Sequence, residues 1–149
     1  RTILIAVVLL GGGSGCSTDL HTPPHVLCHD LDGCPTNGDL AKMLRTFRDV
    51  TAAAFDTQED LSVYWYPEDT VFLDTDNGRV IGYTENPFVI HVTSVPVLVH
   101  EVMHVHLWRM FPEYRGDADH EAGAGPWTEA TNDAVREVVA VLNNANNQE

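Results

Sequence analysis

The stretch VLVHEVMHVHLW, residues 97–108, constrains this chain more than any other. It follows Pro96 and ends before Pro112, so it reads as one helix from about Val97 to Phe111. Apolar residues fall on nearly every side: Val97, Leu98, Val99, Val102, Met103, Val105, Leu107, Met110 and Phe111. A helix of that profile has to be covered on most faces by the rest of the chain. Yet His100, Glu101, His104 and His106 sit within it. Burying such groups is costly unless they are paired or coordinate a metal.

His100 and His104 are four positions apart, so they project from one face and can reach a common ion. Glu101 lies about 100° round the helix from His100, close enough to contact water on that ion without being a ligand. Zinc lowers the pKa of such a water to about 7, and a glutamate so placed takes its proton as it attacks a carbonyl. His106 falls about 200° from His104, on the opposite side, and is expected to be a core or boundary histidine. The alternative to a metal is a buried histidine pair satisfied by hydrogen bonds.

HEVMH resembles the motif of the zincins, the HExxH zinc metallopeptidases. The resemblance spans roughly residues 60–140, and its specific part is HEVMH itself. It implies peptide-bond hydrolysis, with zinc on His100 and His104 and Glu101 as general base and then proton donor. It also implies an upstream edge strand that pairs with extended substrate, and PFVIHVTS (87–94) is the expected strand, with His91 on its face. The third ligand departs from the familiar patterns. Leu107 and Met110 stand where the metzincin extension needs Gly and His. GDADH only echoes the aspzincin loop, with His120 at the aspartate position. WTEATND offers Glu129 and Asp133 at gluzincin spacing, where Asp133 would orient a histidine. We expect His120 as third ligand, ahead of Glu129, and of Asp117 or Asp119, which could otherwise support His120. Tyr114, between the helix and that loop, is the expected oxyanion donor, ahead of Tyr83.

A length of 149 residues, with 44% hydrophobic and 20% charged, suits one domain with a sizeable core. The expected class is α+β: a small zincin-like domain over residues 39–143, with a few-stranded, mostly antiparallel sheet. That sheet would pack on the buried motif helix and two further helices. NGDLAKMLRTFRDVTAAAFD is an amphipathic helix, expected to be capped by Asp39, with Leu40, Met43, Leu44, Phe47, Val50, Ala54 and Phe55 facing the core. LSVYWY reads as a strand, and TVFLDTDNGRVIGYT as a hairpin turning at Asn77-Gly78. The same segment echoes a calcium loop, but Arg79 takes the position that needs glycine, so the hairpin is preferred. WTEATNDAVREVVAVL is the closing helix, capped near Thr128, and residues 144–149 are expected to fray.

Eight Lys and Arg against 22 Asp and Glu give a formal net charge of −14. Such a surface repels phosphate backbones and anionic headgroups, which argues against nucleic acid as partner and favours cationic peptides as substrate. At the start, Arg1 precedes the apolar run TILIAVVLL and then GGGSGC, the layout of a secretory signal peptide over residues 1–15. Ser14-Gly15-Cys16 resembles a bacterial lipobox, although Gly13 occupies the usual Leu position. That resemblance implies a lipid on Cys16, and Ser17 beside it an outer-membrane destination; a secreted or periplasmic form is the alternative. Residues 16–38 then form a tether, in which Cys28 and Cys34 are expected to form a disulfide. The competing idea there is a metal site of His25, Cys28, His29 and Cys34. For the whole chain the alternative function is a non-catalytic, metal-binding envelope lipoprotein, which would close its zinc with four protein ligands. Oligomeric state is left open.

Overall fold

The computed structural model describes residues 25–28, 34–53, 61–75, 78–115 and 125–146. Strand β1 (His25–Cys28) leads to helix α1 (Asn37–Thr51) and strand β2 (Ser62–Trp65). A hairpin of β3 (Leu73–Thr75) and β4 (Gly78–Val80) follows, then β5 (Tyr83–Asn86) and β6 (Val89–Val92). Helix α2 (Val95–Met110) carries the HEVMH motif, and after a short 3-10 turn (Pro112–Tyr114) the chain closes with α3 (Glu129–Asn146).

The class is α+β, as expected, but the sheet is mixed rather than mostly antiparallel. Its order is β1-β2-β6-β5, with β1–β2 and β2–β6 parallel and only β5–β6 antiparallel. The two parallel pairings need crossovers. Helix α1 supplies the first, and the β3–β4 excursion with β5 supplies the second. Consequently 87–94 is not an edge strand. Its strand β6 is held between β2 and β5, and the edge beside α2 is β5. The hairpin β3–β4 forms as expected, Thr75 opposite Gly78, with residues 76 and 77 of its turn outside the described residues.

Alternation along β6 divides the molecule. Ile90 and Val92 are fully buried on the helix side, while His91 points to the other face. On the helix side one core gathers Leu40, Leu44 and Phe47 of α1, Val63 of β2, Val99, Val102 and Val105 of α2, and Val138 of α3. Helix α1 starts one turn earlier than Asp39 suggests. Thr36 is the cap: its hydroxyl accepts the Asp39 N–H at 3.2 Å, and the Asp39 carboxylate accepts the Thr36 N–H at 2.8 Å. This reciprocal box places Asp39 inside the first turn, where it satisfies two otherwise orphaned donors with Thr36. Thr128 caps α3 through its hydroxyl, which accepts the Thr131 N–H, and through its carbonyl, which accepts the Asn132 N–H. That helix runs on to Asn146, so residues 144–146 are helical rather than part of a frayed tail.

Helix α2 is positioned by its start, its middle and its end. Pro96 lies in the first turn, where its missing N–H leaves nothing unsatisfied. At the far end Arg109 donates from Nε (3.0 Å) and Nη2 (2.6 Å) to the Pro87 carbonyl, and its guanidinium lies over Phe88. The middle is fixed by Gly82. A Cβ there would meet Val97 Cγ1 at 2.2 Å, so only glycine lets the chain between β4 and β5 pass so close to α2. Near the N-terminus, Cys28 and Cys34 are joined by a disulfide with a Cα–Cα distance of 6.3 Å, which ties the outer strand β1 to the approach to α1. Their thiols are therefore not available to the metal site considered with His25 and His29. Among the described residues no helix is long and apolar enough to cross a membrane.

Candidate active site

His100 and His104 occupy successive turns of α2 and converge, Nε2 to Nε2, at 3.0 Å. Two imidazoles at that separation share one hydrogen bond or present two acceptors to one cation. Ligand nitrogens about 2.05 Å from a tetrahedral zinc stand about 3.3 Å apart, so the pair needs to open only slightly to chelate. The rings are backed by Trp127, just before α3, whose ring centre lies 4.8 Å from that of His100 and 4.5 Å from that of His104. Trp127 is itself buried and anchored by its indole N–H, which donates to Asn132 Oδ1 at 2.8 Å. This wall limits the rotamers of both histidines and keeps water off one side of them.

Glu101 is 5% exposed, and burial pushes its carboxyl up from 4.5 to about 7. The opposing influence is the Thr84 hydroxyl, 2.9 Å from Oε2 and 3.2 Å from the Glu101 carbonyl oxygen. Thr84 lies opposite Ile90 in the β5–β6 register and so faces α2 from the edge strand. A carboxyl poised near neutrality, held by one hydroxyl and lying beside a histidine pair, can take up and release a proton at ordinary pH.

These groups line a cavity of about 590 Å³. One wall is the extended segment from Arg79 to Thr84; the other is Pro96, Val97, His100, Glu101 and His104 of α2, with Arg115 beyond. Tyr83 lines it, whereas Tyr114 sits exposed in the 3-10 turn and is not among the described residues of the lining. Of the two tyrosines considered, the one at the cavity is therefore Tyr83. Burial pushes its hydroxyl up, with Tyr66 and Glu85 adding to the effect, so it keeps its proton and remains a donor. Tyr83 stacks on His91 at 4.3 Å, and Tyr64 stacks on the other side at 4.8 Å. His91 also meets the Tyr66 hydroxyl at Nδ1 (3.1 Å) and the Glu85 carboxylate at Nε2 (3.0 Å). His91 is a structural residue of the outer sheet face, and the Tyr83 ring stacked on it lies on that face as well, away from Thr84 and Glu101, so Tyr83 borders the cavity without aiming its hydroxyl at the motif.

His106 is half-buried against Phe47, away from the pair, and burial lowers its pKa. Glu129 opens α3 at the surface, where it and Asp133 pair with Arg136 at 2.8 and 2.6 Å. Exposed as it is, Glu129 is not gathered with the histidines. Among the described residues no set of three or more His, Cys, Asp or Glu is assembled as a metal site. His120, Asp117 and Asp119 lie outside the described residues, as do Cys16, Ala54 and Phe55. Thr84 and Trp127 are the site residues that motif spacing did not reveal. Trp127 carried one weak signal, a large aromatic between Pro126 and a helix cap; Thr84 carried none. No family model, curated protein or solved structure matches this chain.

Proposed function

We propose that this chain is a zinc-dependent peptidase of the cell envelope, exported and carried on a lipid at Cys16. The observation that supports it best is the convergence of His100 and His104 at 3.0 Å beside buried Glu101, in a cavity bounded by an edge strand. His100 and His104 would hold the ion, with His120 as the proposed third ligand. Bound zinc supplies Lewis acidity, which brings the pKa of water to about 7 and polarises the scissile carbonyl.

Everything else is done by the chain. Strand β5 ends the sheet, so its outer backbone groups receive an extended peptide as one more strand. This orients the peptide along α2 with its scissile bond over Glu101. Glu101 takes the proton of the attacking water and delivers it to the departing amine. Thr84 fixes one carboxylate oxygen, which keeps the transfer geometry constant between the two steps. The Cys28–Cys34 disulfide is in keeping with an oxidising compartment outside the cytoplasm.

The test is hydrolysis of an internally quenched peptide library by the zinc-loaded full chain and by Glu101→Gln. Loss of a general base lowers the rate by roughly 10²–10⁴-fold while zinc content is unchanged. Full hydrolysis by the Gln variant rules out the proposed role of Glu101.

A further inference from the structure

Two arginines share the cavity with the histidine pair. Arg79 comes from β4 and Arg115 from the end of the 3-10 turn beyond α2, so they reach it from separate elements. Their guanidinium groups make no ion pair or side-chain hydrogen bond among the described residues. Elsewhere Arg48 pairs with Asp49, Arg136 with Glu129 and Asp133, and Arg109 with the Pro87 carbonyl. Arg115 also holds a left-handed backbone conformation, φ 50°, which glycine or asparagine takes more readily.

Among the described residues, the charge of the lining is opposite to that of the chain. Against 22 acidic residues overall, Glu101 is the one acid among the described residues of the cavity wall, where two of the eight Lys and Arg are found. The field of the acidic surface fades within about 8 Å at physiological ionic strength, so charges inside the cavity decide what is held there. We propose that Arg79 and Arg115 select peptides that carry a carboxylate close to the bond lying over Glu101. The idea rests on the peptidase function for what is cut, but the recognition itself does not need turnover. It reverses the preference for cationic peptides that net charge alone suggests.

The probe is a set of fluorescein-labelled eight-residue peptides, identical but for two central Glu, Gln or Lys residues, each as free acid and as C-terminal amide. Anisotropy measures their binding to the full chain bearing Glu101→Gln, and kcat/KM is measured with zinc-loaded wild type. Binding of the Glu peptide is expected to exceed that of the Gln peptide on the order of tenfold at low salt, with the Lys peptide weakest. Arg79→Gln with Arg115→Gln is expected to abolish that order, and both side chains are exposed, so the fold tolerates the change. A Glu preference kept by the amides assigns the arginines to side-chain carboxylates; free acids that bind alike and above their amides assign them to the peptide C-terminus. Equal binding of all six peptides, or a preference that survives in the double variant, overturns the proposal. Selective binding without hydrolysis of any peptide supports the carboxylate site and counts against the peptidase function alone.

Discussion

The buried carboxyl of Glu101 makes the stability of the metal-free chain depend on pH in a defined direction. Folded, it titrates at about 7 because burial disfavours the ion; unfolded, it returns to its ordinary 4.5. Between those values the folded state holds a proton that the unfolded state has released, so stability falls as pH rises. The contribution is fully present below 4.5 and is lost as pH rises through about 7. From 4.5 to about 7, at about 1.4 kcal/mol per pH unit, the loss is about 3 kcal/mol. Glu101→Gln stays neutral, keeps the shape and still accepts from Thr84, so it removes this dependence alone. Urea unfolding with a chelator present, from pH 4.5 to 8, reads the difference between the two proteins. The curves should nearly coincide at the acid end and separate until the Gln variant is more stable by about 3 kcal/mol, roughly 1–3 M in midpoint. Taking the difference cancels other titrating groups, Asp39 among them, whose carboxyl is lowered by its hydrogen bonds to Thr36. Curves that run parallel across the whole range refute the burial-driven account of Glu101.

The neighbours of that carboxyl should respond in kind. Thr84→Val removes the bond that holds Glu101 down, so the pH at which the same difference curve levels off should rise; an unmoved plateau contradicts the role given to Thr84. Gly82→Ala drives a methyl to 2.2 Å from Val97 Cγ1 and should cost about 1–3 kcal/mol in thermal unfolding, partly recovered by Val97→Ala. A substitution that leaves the melting temperature unchanged refutes the close approach at Gly82. Replacing both Cys28 and Cys34 by Ala opens a short loop and should lower stability by about 2 kcal/mol in denaturant unfolding. An equal midpoint with and without the disulfide contradicts that estimate.

What could be read from the sequence was what depends on neighbours along the chain. The convergence of His100 and His104 follows from a spacing of four on a helix, and the core faces of α1 and α3 follow from the same period. The capping box was legible too, since Thr36 and Asp39 have the right spacing, but an aspartate next to an apolar run was the more obvious signal. The sheet was not legible. Strands of three or four residues carry turn signals at their ends but nothing that says which strand lies alongside. Turn signals favoured consecutive hairpins, whereas β1, β2 and β6 are brought together from across the chain. The edge strand was illegible for the same reason: PFVIHVTS lies just upstream of the motif helix, where the resemblance places an edge strand, but its apolar character suits the interior position it takes. Thr84 and Trp127 reach the site only through that tertiary arrangement.

The most direct test of the account is the metal content of the full chain, purified without added metal and measured by mass spectrometry alongside His100→Ala with His104→Ala. About one zinc per wild-type chain and none in the double variant is the predicted result. Wild type that holds no zinc even after zinc is supplied, or a double variant that keeps it, would contradict the claim that this histidine pair exists to bind a metal.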